Sequence, residues 1–294
     1  METYVLKNPD SFNLEHIFEC GQCFRWNKQG DNTYLGVAEK YVIRLEKKNK
    51  DIIFKGNKTK NSKFKNLEEF VEYYFDLNTD YSKYKEKLSK VDNYLDESIK
   101  FGEGIRILKQ DVWECIISFI ISANNNIPRI KKIIERIALN YGEKIEFEGN
   151  TYYTFPTPEE LSKASVEDLR NLGTGFRDKR IYNTTQIILS NEKYIENLKQ
   201  MKTTKQMKEE LLKLDGVGPK VADCILLFSL QRFDAFPIDV WVRRVMNDLY
   251  IHNEDENKVN KKMIQKLAEE KFLGIPGIAQ QYLFYWKREQ EKRA

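Results

Sequence analysis

Leu212-Lys213-Leu214-Asp215-Gly216-Val217-Gly218-Pro219-Lys220-Val221-Ala222-Asp223-Cys224 is the stretch that decides the fold, and Pro237-Ile238-Asp239-Val240 completes it downstream. Two helical patterns meet here at a glycine hairpin. Gly216 and Gly218 flank Val217 in a turn where side chains would obstruct close approach, so backbone N–H groups can face an anion such as a phosphate. Pro219 fits the first position of the second helix. Lys220 then falls in the first turn, where the helix macrodipole disfavours a cation and Asp or Glu would be usual. That placement favours the neutral, nucleophilic amine over the ammonium. The plainer alternative is a surface lysine paired with Asp223, three positions on.

Outward from the hairpin, most of the chain reads as helix. The segment from Asp111 to Ala123 carries Val112, Cys115, Ile116, Phe119 and Ile120 at buried-helix spacing, and Asn124-Asn125-Asn126-Ile127-Pro128 stops it. Asn191-Glu192-Lys193 marks a polar connection between helical patterns. Toward the N-terminus the period changes. From Phe24 to Phe54 apolar residues alternate in short runs (Tyr34 to Val37, Tyr41 to Ile43, Ile52 to Phe54) between turn residues such as Gly30-Asp31-Asn32 and Lys48-Asn49-Lys50, which predicts an antiparallel meander. Lys55 to Lys65, rich in lysine, asparagine and glycine, reads as a solvated loop. A 3.6-residue period begins at Leu67, Phe70, Val71 and Tyr74. The expected fold is therefore α+β, with the change of character near residues 90–105: an N-terminal antiparallel β domain over residues 1–100 and a helical body over residues 101–294.

The whole composition narrows the class without naming it. At 294 residues and 41% hydrophobic content the chain can bury a substantial core. No apolar run approaches the roughly 20 residues of a membrane span, and Met1-Glu2-Thr3-Tyr4 is acidic rather than signal-like, so a cytoplasmic protein without a membrane partner is expected. Forty-nine basic against 45 acidic residues give a net charge of +4, too mild to establish a nucleic-acid partner by itself. Cys20, Cys23, Cys115 and Cys224 should stay reduced. Cys20-Gly21-Gln22-Cys23 has half the spacing of a zinc site, but no second CxxC exists and His16 and His252 stand apart, so neither metal nor cofactor is expected.

The hairpin and its downstream aspartate resemble the helix-hairpin-helix superfamily of DNA glycosylases. The chain is most similar there to the 8-oxoguanine DNA glycosylase/lyases, in five islands in that family's order: Gly21-Gln22-Cys23-Phe24-Arg25-Trp26, Ser122 to Ile127, Leu172-Gly173-Thr174-Gly175-Phe176-Arg177, the hairpin, and Gly277 to Phe284. The resemblance implies a bifunctional enzyme acting on double-stranded DNA that contains oxidised guanine. Lys220 would attack C1′ of the damaged nucleotide, and Asp239 would stabilise the developing positive charge on the sugar. The carbonyl of Gly21 would accept from the N7–H that oxidation creates, Gln280 would read the Watson–Crick edge, and Phe284 and Cys224 would sandwich the flipped base. Asn124, Arg129, Phe176 and Arg177 would fill the vacated stack and meet the orphaned cytosine. Gly216 and Gly218 would hold phosphate. No cysteine follows Asp239, so the iron–sulfur cluster of endonuclease III and the adenine glycosylases is not expected.

Each assignment has a plainer alternative: Asp239 as N-cap of a helix starting at Val240, Gly21 as a turn, Gln280 as surface, Phe284 and Cys224 as core, and Asn124, Arg129 and Arg177 as ordinary helix-end polar residues. Phe176 stands where animal members commonly have tyrosine. Trp241 and Lys287 replace an animal histidine and aspartate near the flipped nucleotide's phosphate, leaving Lys287 to bind phosphate directly or Trp241 simply to pack. Two other functions remain open: a related glycosylase for another damaged base, and a noncatalytic DNA-binding module. A monomer is expected, and the abundance of Lys, Asn and Ile suggests a bacterial protein working at the nucleoid.

Overall fold

The computed structural model describes residues 1–255 and 258–293. Five antiparallel strands form the N-terminal sheet: β1 (Glu2–Leu6), β2 (Trp26–Gly30), β3 (Thr33–Ala38), β4 (Tyr41–Lys48) and β5 (Asp51–Lys58), ordered β1-β5-β4-β3-β2. The meander from β2 to β5 follows the alternation in the sequence. Two expectations change. β1 pairs with β5 in the register Glu2 to Gly56, closing the sheet on a side the sequence reading left open. Lys55–Lys58 are strand rather than solvated loop, because β4 pairs with all four residues and β1 also pairs with Lys55 and Gly56. Gly36 admits the indole of Trp26, whose ring atoms lie 2.3 Å from where a Cβ would sit.

Helix α1 (Leu14–Glu19) and α2 (Leu67–Tyr74) cover this sheet, with Ile17, Phe18, Phe70 and Val71 buried against Tyr41, Ile43 and Phe54. The helical body follows as α3 (Tyr81–Ser89), α4 (Asn93–Phe101), α5 (Val112–Ser122) and α6 (Ile127–Tyr141). A two-stranded hairpin, β6 (Lys144–Phe147) and β7 (Asn150–Tyr153), interrupts it. Then come α7 (Pro158–Leu161), α8 (Val166–Leu169), α9 (Asp178–Leu189), α10 (Tyr194–Gln200), α11 (Thr204–Leu211), α12 (Pro219–Leu230), α13 (Val240–Met246), α14 (Lys261–Lys271) and α15 (Pro276–Arg293). Tyr81, Leu88, Leu95 and Ile99 of α3 and α4 join the core of this body rather than that of the sheet.

Polar side chains stitch the two cores together. Gln22, fully buried, donates to the carbonyls of Ile17 and Arg106 (both 2.8 Å) and accepts from the Leu108 amide (2.9 Å). Arg25 donates to Glu135 of α6 (3.0 Å) and to the Tyr153 carbonyl of β7 (2.7 Å). Where the β3–β4 turn meets α5, a cavity of about 160 Å³ is lined by Glu39, Asp111 and Glu114. Burial, reinforced by the charge of Asp111, pushes the Glu39 carboxyl up to about 7 and that of Glu114 up to about 8. Lys63 pairs with Glu39 at 2.8 Å, and Arg25 opposes the rise at Glu114.

Both carboxyls titrate in the folded protein above their ordinary value of 4.5. Their contribution to stability is therefore full below that value and lost as pH rises through about 7 to 8. The thermal midpoint should fall between pH 5 and pH 8.5, and Glu114→Gln should flatten that fall; a profile identical to the parent's would show that Glu114 does not carry it.

Candidate active site

The hairpin forms as the sequence implies. Gly216 adopts φ +84°, and a Cβ there would lie 3.0 Å from two atoms of Arg180 and 3.3 Å from Ile120, so glycine is required by the protein's own packing. Gly218 differs. It is the extended N-cap of α12, exposed, with open space where a side chain would point, so nothing in the protein's own packing requires the position bare. No side chain caps α12, which leaves the N–H groups of its first turn for an external acceptor. Asp215 anchors the turn to α9, accepting from Asn183 (2.8 Å) through its carboxylate and from Thr184 (2.8 Å) through its carbonyl.

Lys220 is the second residue of α12, half-buried, with Nζ 5.5 Å from the centre of the Phe119 ring. The pairing with Asp223 does not form. Asp223 faces α11 instead and binds Lys208 at 2.7 Å, burial holding its carboxyl up at about 6. One turn beyond Lys220 on the same face stands Cys224, and one further turn brings Phe228. Burial pushes the Cys224 thiol up to about 11, against the lowering influence of the nearby Lys220 charge; Asp223 and Asp239 add to the rise.

Asp239 caps α13, its Oδ1 accepting from the Val242 amide at 2.8 Å. The capping alternative is thus real, and it orients the carboxylate: one oxygen is held by the helix while the residue still lines the pocket. That pocket, about 60 Å³, lies among Gly21, Phe119, Lys220, Cys224, Asp239, Gln280 and Phe284. Gly21 has φ +88°, and Phe284 reaches to 3.4 Å from the position of its missing Cβ. Gln280 is buried, its Nε2 donating to the Pro237 carbonyl (2.9 Å) and its Oε1 without a protein partner. An unpaired buried acceptor is costly unless a ligand satisfies it. Phe284 is braced by Trp241, edge to face at 6.4 Å, and by the Arg288 guanidinium at 5.4 Å from its ring.

A second cluster surrounds Phe176, 56% exposed and the most prominent aromatic of the region. Arg177 and Arg180 lie over its ring at 4.2 and 5.3 Å. Asn124, exposed and at φ +50°, and Arg129, exposed, stand beside it. Arg177 is more than the ordinary helix-end polar residue of the plainer alternative: it is buried, donating to the carbonyls of Ala123, Thr174 (3.2 Å) and Asn124 (2.9 Å). Its guanidinium shapes the loop, so direct contact with a base would require it to exchange those carbonyls. Lys287 is likewise engaged, by Asp248 at 2.5 Å, and its charge is already answered without a phosphate. Trp241 packs on Phe284, while its indole Nε1 is buried without a partner.

Cys20 and Cys23 are buried free thiols pushed up by burial, Cys20 to about 12, and among the described residues no group of three or more His, Cys, Asp or Glu is arranged to hold an ion. Sequence reasoning gave Gln22 no role, although it fixes the loop that carries Gly21; a buried glutamine bridging distant carbonyls leaves no local pattern.

Known proteins resemble this chain over both of its parts. Residues 4–116 match the family described as 8-oxoguanine DNA glycosylase, N-terminal domain, and residues 117–271 match the HhH-GPD superfamily of base excision DNA repair proteins. The chain is similar to the Clostridium acetobutylicum 8-oxoguanine glycosylase/lyase, solved in complex with dsDNA containing cytosine opposite to 8-oxoG: 42% identity, a TM-score of 0.90, and 99% of this chain and 96% of that one covered. It is 32% identical over 286 residues to the N-glycosylase/DNA lyase of Saccharomyces cerevisiae, covering 86% of this chain and 72% of the yeast protein.

Asparagine also caps helices, so Asp239→Asn should preserve the thermal midpoint, whereas Asp239→Ala should cost about 1 kcal/mol of stability in chemical denaturation. Equal losses in both variants would mean that the cap contributes nothing.

Proposed function

The chain belongs to the HhH-GPD superfamily of base excision DNA repair proteins, on its 8-oxoguanine DNA glycosylase branch, and we propose from this membership and from the pocket that it excises 8-oxoguanine from duplex DNA and then nicks the strand. The observation that carries the reading is the convergence of Lys220, Cys224, Asp239, Gln280 and Phe284 on one pocket from two helices, α12 and α15, and the N-cap of a third, α13.

The chemistry follows from those side chains. The Lys220 amine forms a bond to C1′ as the glycosidic bond breaks; the electron pair leaves with the base, which takes up a proton. The negative charge of Asp239 stabilises the oxocarbenium-like sugar during that step. Ring opening gives a Schiff base between Lys220 and the sugar. Its positive nitrogen acidifies the C2′ hydrogen, and loss of that proton expels the 3′ phosphate by β-elimination. Water then hydrolyses the imine and frees the lysine.

Selection rests on hydrogen-bond matching. Oxidation turns guanine N7 into a donor, and the carbonyl of Gly21 is the proposed acceptor; a normal guanine leaves it unmatched at a cost of about 1–3 kcal/mol. The free Oε1 of Gln280 supports its reading the base's N–H groups, with Nε2 already held by Pro237. Phe284 and Cys224 would stack on the two faces of the base. Gly216 and Gly218 would hold the phosphate of the extruded nucleotide, and Phe176, with Asn124, Arg129 and Arg177, would occupy the gap. The residues proposed for the reaction and for holding the base all lie on this chain, so the proposed chemistry, read as that of a monomer, needs no second copy. No helix among the described residues is long and apolar enough to cross a membrane. Work on chromosomal DNA and the Lys-, Asn- and Ile-rich composition support a cytoplasmic, nucleoid-associated protein of bacterial origin.

Borohydride reduction with 8-oxoguanine duplex should trap a covalent protein–DNA adduct, absent in Lys220→Gln. Binding without any adduct in the parent would support a DNA-binding module instead. Asp239→Asn should bind lesion DNA but excise it about 10²-fold more slowly or worse; full-speed excision would remove this carboxylate from the mechanism.

A further inference from the structure

Away from the lesion pocket, α6 carries a stripe of cations of which the proposed function uses only Arg129. Arg129, Lys132 and Arg136 are spaced by three and four residues, which puts them on one face of the helix, while Ile130, Ile133, Ile134 and Ile137 bury the other. All three cations are exposed. Beside them opens a groove of about 370 Å³ whose floor is the backbone at Gly173 and whose lining includes no acidic residue among those described.

The groove is built, not merely charged. Gly173 adopts φ +92°, and Arg136 Nη1 lies 3.0 Å from where its Cβ would be. That guanidinium donates to the Leu172 carbonyl at 3.3 Å, and Arg129 Nη2 to the Gly173 carbonyl at 3.4 Å. Neutral carbonyls orient both forks without answering their charge, and each fork has five N–H donors, most of them left for an anion. From Arg129 to Arg136 the helix rises about 10 Å, the axial length of about three nucleotides of one strand at about 3.4 Å each.

The position of the groove says which strand it fits. The turn that bears Gly173 continues into Phe176; beyond Phe176, Arg180 packs on Gly216 of the hairpin. Phe176 thus stands between two phosphate-seeking elements, the α12 hairpin on one side and the α6 stripe on the other. We infer that the α6 groove binds the phosphodiester backbone of the strand opposite the lesion, with Lys132 and Arg136 as its phosphate contacts. This rests on the duplex-DNA reading given above. The enzyme then straddles the duplex across the wedge, gripping each strand from one side, and its hold on the intact strand survives when the lesion strand is cut.

The test combines salt dependence with charge-neutral backbones. Equilibrium binding to an 8-oxoguanine duplex is measured against salt for the parent, for Lys132→Gln/Arg136→Gln, and for the charge-conserving Lys132→Arg/Arg136→Lys. Each is repeated with methylphosphonates in either strand. The neutral pair should flatten the log–log salt slope by about 1.8, or about 0.9 for each lost phosphate contact, and the conserving pair should restore most of it. Methylphosphonates in the opposite strand should weaken the parent but cause little further loss in the neutral pair. An unchanged slope, a conserving pair as weak as the neutral one, or non-additivity that appears with the lesion strand would each overturn the inference. Excision by the parent on the same duplex checks the underlying reading separately: no excision refutes that reading, whereas excision with additive losses refutes only the groove.

Discussion

The direction of α12 is the constraint on which the site depends. A helix delivers side chains to a point in space only if its axis is fixed at both the turn that starts it and the flank that supports it. Here Gly216 brings the turn against Arg180 and Ile120 with no room for a side chain, and Asp215 ties it to α9. Along the flank, Asp223 and Lys208 join α12 to α11 in a pair with one largely buried member. A carboxylate left alone at that depth would be costly, so the pairing penalises any slide of one helix along the other. The amine of Lys220 and the sulfur of Cys224 inherit their positions from these contacts.

The opposite wall of the pocket comes from the other core. Gly21 sits in the loop after α1, whose geometry is set by Gln22 through bonds to Ile17, Arg106 and Leu108. One glutamine therefore satisfies carbonyls and an amide from both halves of the molecule at once. Buried amides with all partners supplied are rigid because every displacement breaks a bond that no water can replace. In the proposed chemistry the sheet domain would contribute no reacting group: it holds a backbone wall of the pocket opposite the helices that carry Lys220, Cys224, Gln280 and Phe284.

Legibility in the sequence tracked how local the cause was. The hairpin, the N-cap at Asp239 and the strands β2 to β5 follow from neighbours within a few residues, and their alternation or turn chemistry announces them. Strand β1 does not, because a run of five residues becomes strand only by meeting β5 fifty residues later. For the same reason the lysine-rich Lys55–Lys58 run is held as strand by β4 along its whole length and by β1 at Lys55 and Gly56. The pocket residues were readable through motif islands; their states were not. Arg177 turned inward to carbonyls, Lys287 found Asp248, and Asp223 preferred Lys208 to its helical neighbour, choices made by tertiary packing that no spacing rule contains.

The inward turn of Arg177 reaches beyond the loop it ties. With the carbonyls of Ala123, Asn124 and Thr174 all gathered on one guanidinium, the segment beneath Phe176 is stiff before any nucleic acid arrives. A stiff probe shifts the mechanical work of distortion onto its target. If Phe176 is the wedge proposed above, base steps that resist unstacking would slow its penetration while weakened ones would yield, and the search along DNA would become partly a test of local compliance, performed before any hydrogen bond to the base is tried.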